Sequence, residues 1–240
     1  HKILYLPFYP INDKTPFQGL PFDRTNKIVG FSGGASYKYL VDDKLDYLVA
    51  IKDLLLAHPN FIFCLCTFGN SSKIKSFIVA NNLQNRFYLL GQRTDFYSLI
   101  GNCDILFESY PLKGGLTPLF AIEQDIPVLG IANFNNWSGS LEQILGITGY
   151  TQPQSIGEFK IEAAKLIKST TEREKLSVIL KKNKLNKVDF DKGLKEIFNN
   201  NYENLIVKVS NKLELNNEEV LQSYLNLAEN LKYDLLTTNF

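Results

Sequence analysis

The chain has 240 residues, 45% apolar and 21% charged, with a formal net charge of +1. That length allows one large or two small domains with a sizeable core. The near-neutral charge argues against a general nucleic-acid or membrane-surface binder, no apolar run approaches the ~18 residues of a membrane span, and the opening HKILYLPFYP lacks the layout of a signal peptide.

In chain order, residues 1–26 carry four Pro and little periodicity, with a possible strand at Ile3–Leu6, and read as a linker. From residue 27 the pattern is regular. KIVGF (27–31) is a predicted strand and SGGASYKYL (32–40) a loop. DKLDYLVAIKDLLLA (43–57) has a broad helical stripe. FIFCLCTF (61–68) is a continuous apolar strand, expected to be buried on both faces. SKIKSFIVANN (72–82) is helical, RFYLLG (86–91) a strand, and TDFYSLIGNC (94–103) a helix capped by Thr94 or Asp95. DILFE (104–108), a helix from Thr117 and PVLGI (127–131) complete the series. From residue 140 only helical patterns follow, at 140–147, 155–169, 171–185 and 189–205, with a last one at 216–236.

Strands alternating with helices of this length predict an α/β fold, a Rossmann-like, doubly wound parallel sheet, with a helical C-terminal tail. Ligands bind such sheets beyond the carboxyl ends of the strands. Here that edge is formed by the loops at 32–40, 68–72, 91–94, 108–117 and 131–140.

Three stretches on that edge could carry chemistry. YPLKGGLTP (110–118) puts Lys113, Gly114, Gly115, Leu116 and Thr117 before a helix. Free amides and a partial positive charge at a helix N-terminus suit phosphate, glycines admit an anion close to the backbone, and Thr117 can cap the helix or donate its hydroxyl. A plain turn is the competing reading. FSGGASYK offers Gly33, Gly34 and Lys38, without the spacing of a G-x-G-x-x-G fingerprint or a P-loop. LLGQRTDF offers Gln92, able to read a nucleobase edge, and Arg93, which could equally be a capping or surface residue. Glu108 ends a strand on the same edge, Tyr110 could pack on a ring, and Glu123 lies inside the following helix.

Cys64 and Cys66 share a strand face and Cys103 stands alone, an odd set that fits a reducing, cytoplasmic setting. His1 and His58 give no zinc spacing, so no metal is expected. The chain opens on His1 and holds no Met, from which we expect a piece of a longer protein.

The order of these stretches resembles the C-terminal, nucleotide-sugar-binding half of GT-B glycosyltransferases. The likeness is closest to the O-GlcNAc transferase group and the related bacterial cytoplasmic protein N-glycosyltransferases. It covers roughly residues 19–205. GLPFDRTNKIVGFSGGASYK is similar to the stretch that leads to that group's phosphate-binding Lys, here Lys38. GGLT sits at the diphosphate helix, and the segment from WSGSLEQILGITGY onward looks like the group's helical tail. The position that in the family holds the ribose hydroxyls with an acid is Phe120. The acid pair of retaining members would fall on Leu112 and Phe120, and Leu116 replaces a Thr.

The resemblance implies a donor-binding domain over 27–205, preceded by a linker or remnant at 1–26 and followed by a C-terminal helix over 206–240. It implies a UDP-linked sugar donor without cofactor or metal, a protein or glycan acceptor, and an N-terminal domain missing from these residues. Lys38, Gly33, Gly34 and 113–117 would hold the diphosphate; Gln92, Arg93, Glu108 and Tyr110 would meet the nucleoside, with Glu123 as another acid for the ribose. The catalytic base would lie elsewhere. A non-catalytic partner-binding relative and a sugar-nucleotide epimerase of the same fold are the alternatives. An epimerase needs a His in the cleft, and His58 is expected at the opposite edge of the sheet.

Overall fold

The computed structural model describes residues 15–40, 45–114, 116–132 and 151–182, with 191, 192, 194 and 195. All but the last four belong to one compact unit. The predicted strand at 3–6, the helices at 140–147 and 216–236, most of 189–205, the boundary at 205 and Gly115 lie outside the described residues.

Five strands form one parallel sheet: β1 (Ile28–Ala35), β2 (Phe61–Phe68), β3 (Phe87–Leu89), β4 (Ile105–Phe107) and β5 (Val128–Leu129). Their spatial order is β3-β2-β1-β4-β5. The crossovers are α1 (Asp46–Ala57), α2 (Ser72–Ala80), α3 (Phe96–Ile100) and α4 (Leu116–Glu123), followed by α5 (Ile156–Lys168) and α6 (Thr170–Lys181). The chain steps outward from β1 to β2 and β3, then returns past β1 to β4 and β5. Right-handed crossovers therefore put α1 and α2 on one face and α3 and α4 on the other. This is the Rossmann-like, doubly wound class expected from the alternation. Helix α5 packs on α1 and α6 on α4, and both touch β5. The two tail helices thus wrap that edge of the sheet.

β2 is buried from Phe61 to Thr67, as a strand covered on both faces must be. The main departure is β1. Gly-Gly after an apolar run reads as a loop, yet the strand runs through both glycines. It pairs with β2 over its whole length, from Ile28 opposite Phe61 to Ala35 opposite Phe68. The missing side chains are used for packing. A Cβ on Gly30 would lie 2.7 Å from the Phe61 ring and 2.9 Å from that of Phe107. On the other face, a Cβ on Gly33 would lie 2.6 Å from the ring of Phe96. Pairing and ring packing outweigh the glycines' poor strand propensity.

The rings that close over Gly30 belong to an aromatic series through the core. Phe63 meets Phe87 at 4.9 Å between centroids, Phe107 meets Phe159 of α5 at 5.4 Å, and Phe159 meets Tyr47 of α1 at 5.7 Å. Each such ring stabilises the fold by about 1.5–3 kcal/mol through burial alone. The tail helices have true caps. Ser155 Oγ accepts from the Glu158 amide at 3.1 Å, and Ser169 Oγ from the Glu172 amide at 3.2 Å. Both are Ser-x-x-Glu stretches.

Residues 15–26, expected as a linker, pack along α3, with Gln18 and Gly19 at the sheet's carboxyl edge and Arg24 at its amino edge. The Ser98 hydroxyl donates to the Thr15 carbonyl at 2.5 Å, and Arg24 pairs with Asp104 at 2.9 Å.

The contact at Gly30 is testable. Gly30→Ala forces a methyl into two fully buried rings, an overpacking that costs about 1–3 kcal/mol. Urea unfolding should show that loss, while Gly19→Ala, at a site with no atom within 4 Å of the new Cβ but a positive φ of 86°, should show only the smaller cost of backbone strain. Equal stability of Gly30→Ala and wild type would contradict the packing described.

Candidate functional site

The strand order reverses between β1 and β4, and both strands end at the same edge. In a doubly wound sheet the loops there part to either side and leave a crevice. The residues that follow β1 and β4 therefore define the candidate site.

From the β1 side, a 3-10 turn at Ser36–Tyr39 carries Lys38. Its side chain runs past Gly34, where a Cβ would lie 3.3 Å from Lys38 Cδ. The Lys38 ammonium donates to the Lys113 carbonyl at 3.0 Å, which bridges the two loops across the crevice. Partial burial lowers its pKa below the ordinary lysine value. Beneath it, the Ser32 and Tyr39 hydroxyls share a buried hydrogen bond of 2.8 Å. Burial pushes the phenols of Tyr39 and Tyr47 up, so both are neutral.

From the β4 side the chain passes Glu108, Ser109, a cis Tyr110–Pro111 bond and Lys113 before α4. The Ser109 hydroxyl donates to the Leu112 carbonyl at 2.6 Å and closes the turn. Lys113 is turned inward. Its ammonium donates to Gln152 Oε1 at 2.6 Å and lies 3.4 Å from Glu108 Oε2, and only 2% of the side chain is exposed. The sequence placed Lys113 and Glu108 at the surface, where a ligand would meet them. Instead each neutralises the other inside, and only the Lys113 carbonyl faces the crevice. Gln152 completes the group, donating to Glu108 Oε2 at 2.9 Å. It comes from a loop without any sequence signal.

Helix α4 begins at Leu116, one residue before the expected start, so Thr117 sits in the first turn and is not the cap. Pro118 follows and has no amide. The free donors at this end among the described residues are thus the amides of Leu116 and Thr117, with Gly114 before them, and the first turn holds no acid. Gly115 lies outside the described residues. Leu116 is exposed. Glu123 ends α4 at the far edge of the sheet and is out of reach of the crevice. Phe120 packs edge-on against Tyr97 of α3, 5.5 Å between centroids.

The other expected residues are spread along the edge. Gly33 serves the packing of Phe96 and is not an opening for an anion. Tyr110 is half-buried, its ring 6.4 Å from that of Tyr47. Gln92 is exposed after β3, two strand spacings or about 10 Å from β1. Arg93 is committed to its neighbours. Its Nε and a terminal nitrogen each reach an Asp95 oxygen at 2.7 Å, and it donates to the Gly19 carbonyl at 3.1 Å. The Gln18 amide donates to the same carboxylate at 2.7 Å. Asp95 begins α3 but makes no side-chain cap; its carboxylate holds residues 18–19 instead. The Arg93 hydrogen bonds, with the Gln18 amide, hold its pKa below the ordinary carboxylate range.

Among the described residues, no three His, Cys, Asp or Glu could hold a metal ion, and no helix is long and apolar enough to cross a membrane. His58 follows α1 at the amino end of β2, opposite the crevice as expected. Cys64, Cys66 and Cys103 are buried free thiols, that of Cys66 pushed up to about 12 by burial.

Solved structures similar in fold to this chain include named glycosyltransferases. S. aureus TarM, solved with fondaparinux, alpha-GlcNAc-glycerol and UDP, matches with a TM-score of 0.60 and 14% identity, over 80% of this chain and 38% of that one. WaaG, a glycosyltransferase involved in lipopolysaccharide biosynthesis, matches at 0.60 and 16%, over 82% and 55%. The Thermobaculum terrenum O-GlcNAc transferase matches at 0.55 and 18%, over 78% and 38%. The chain thus spans 38–55% of the length of these structures. At such identities the likeness is one of fold. No protein-family model and no curated protein matches the sequence.

The Arg93–Asp95 pair yields a test. Arg93→Ala leaves a buried carboxylate without its cation, which costs about 3–5 kcal/mol. Because the folded-state pKa of Asp95 is lowered, its contribution is present above the unfolded value of about 3.9 and is lost as pH falls below it. Urea unfolding of wild type and Asp95→Asn should differ at pH 7 and converge as pH falls through the lowered folded-state pKa of Asp95. A difference that stays constant with pH would rule out the pair as its source.

Proposed function

We propose that this chain is the donor-binding domain of a GT-B glycosyltransferase, the C-terminal half, which takes a UDP-linked sugar. The observation that carries the reading is the position of Lys38. It reaches across the strand-order reversal to the turn in front of α4, where a helix N-terminus presents amides and no acid in its first turn.

In this reading the diphosphate lies over Gly114–Thr117. The amides there and the Lys38 ammonium bind its oxygens. As the bond from the sugar to the diphosphate breaks, negative charge grows on the departing oxygen. Donors already aimed at it stabilise that charge without reorganisation. The helix end adds its partial positive charge. No metal is needed for that step. The nucleoside runs along the carboxyl edge towards Gln92. Glu108 takes no part in ribose binding, since it is turned inward, and Phe120 offers no acid. Donors for the ribose then come from the backbone of the edge loops.

The acceptor, a protein or a glycan, and the base that activates it come from a domain outside these 240 residues. His58 lies at the wrong edge, which also disfavours the epimerase alternative. The solved structures of this fold support the reading through TarM, bound to UDP, and through the named transferase activities of the other two.

Calorimetric titration should show UDP binding more tightly than uridine, because the contacts are mainly to phosphate. Lys38→Ala should weaken UDP binding by about 1.5–3 kcal/mol, roughly tenfold or more, with at most a small fall in melting temperature from the lost hydrogen bond to the Lys113 carbonyl. Equal affinity for UDP and uridine, or none for either, would favour a partner-binding module. The isolated chain should release no UDP from UDP-GlcNAc or UDP-glucose, with or without peptide acceptors. Release abolished by Lys38→Ala would place the whole catalytic apparatus within this chain and overturn the two-domain reading.

A further inference from the structure

Behind the turn in front of α4 lies a closed polar group that the binding chemistry does not use. Glu108 directly follows β4, Lys113 ends the turn and Gln152 enters from the loop before α5. Each touches the other two, at 2.6, 2.9 and 3.4 Å. Their exposures are 4%, 9% and 1%. A fourth position seals the group. A Cβ on Gly130 would lie 2.0 Å from Glu108 Oε2 and 3.0 Å from Gln152 Nε2. Only glycine after β5 leaves room for the carboxylate.

Stability does not explain such an arrangement. Taking two charges out of water costs several kcal/mol each, and apolar side chains of equal volume often do as well or better. What the polar group adds is direction, because hydrogen bonds fix angles that apolar packing leaves free. Lys113 is where that direction is transmitted. Its ammonium is held inside by two partners, while its carbonyl, on the same residue, receives Lys38. Fixing the side chain therefore fixes the carbonyl, and with it the resting position of the Lys38 ammonium. Gly114 and the start of α4 follow directly.

We infer that Glu108, Lys113 and Gln152 are positioning residues. They hold the turn from Ser109 to Gly114 in the shape that aims the α4 amides and Lys38 at one anion. They do not touch that anion. The inference rests on the donor-binding reading only for the identity of the anion.

Two substitutions test it from behind the turn. Gln152→Leu removes the hydrogen bonds to Lys113 and Glu108 and no charge. Gly130→Ala displaces the carboxylate without altering any polar group. Hydrogen–deuterium exchange would be followed over peptides spanning 109–120, with α2 as internal reference, and UDP affinity measured well below the melting temperature. The expected result is exchange at least tenfold faster at 109–117 with α2 unchanged, together with at least tenfold weaker UDP binding. If either variant does not fold, the other decides. Unchanged exchange in a folded variant overturns the inference, as does faster exchange everywhere, which would make the group a source of global stability alone. Faster local exchange with undiminished UDP affinity also overturns it. A wild type that fails to bind UDP refutes the donor-binding reading, and the exchange comparison then decides this inference by itself.

Discussion

The central strand gives up one side chain on each face, at Gly30 and Gly33. Phe61 and Phe107 close over Gly30 from one side and Phe96 over Gly33 from the other, and these rings set how close the helical layers approach the sheet. β1 is also the strand that pairs with both halves of the fold, β2 on one side and β4 on the other. The crevice exists because the chain reverses around β1, and one lysine spans it because the loops on its two sides follow neighbouring strands. A wider β1, with ordinary side chains at residues 30 and 33, would push α3 and the aromatic series outward together. Core packing has no slack with which to absorb such a change.

Among the described residues two ion pairs lie away from solvent, and each holds a loop. Arg93 and Asp95 fasten residues 18–19 to the start of α3. Glu108 and Lys113, with Gln152, fasten the turn before α4. Both groups lie at the carboxyl edge. The centre of the sheet holds only apolar side chains and the neutral hydroxyls beneath Lys38. A loop at such an edge has no ladder of its own to keep it in shape, so side chains supply the missing hydrogen bonds.

The alternation of strands and helices was readable because apolar periodicity is local, and the class of sheet follows from it. The site was less so. Gly33 and Gly34 read as a loop, since a Gly pair usually breaks a strand; only the rings of distant Phe residues reveal the need for glycine there. Lys113 beside two glycines reads as a ligand-facing cation. Its inward turn depends on Gln152, far along the chain in a stretch without pattern, and no local rule could pair them. Gly130, directly after an apolar run, was the one available hint of a close approach. Lys38 was placed on the correct edge, since a residue just past a strand's end has few other places to go. Arg93 was left open between the nucleoside, a cap and the surface; it pairs with Asp95 two residues away, and residues 18–19, which the pair holds, are brought to it only by the fold.

The order of the sheet also governs how the chain can acquire it. Synthesis from the amino end delivers β1, β2 and β3 first, and these are neighbours in space. The other side of β1 stays open until α3 has been made and β4 emerges to cover it. During that interval an apolar strand, uninterrupted by proline and short of bulky charge, presents its unpaired amides and carbonyls to the surroundings. Its three glycines, Gly30, Gly33 and Gly34, lessen the hazard, because a strand with fewer side chains offers a foreign strand less to grip. The same residues that let the finished layers close together thus make the half-made sheet a weaker template for aggregation.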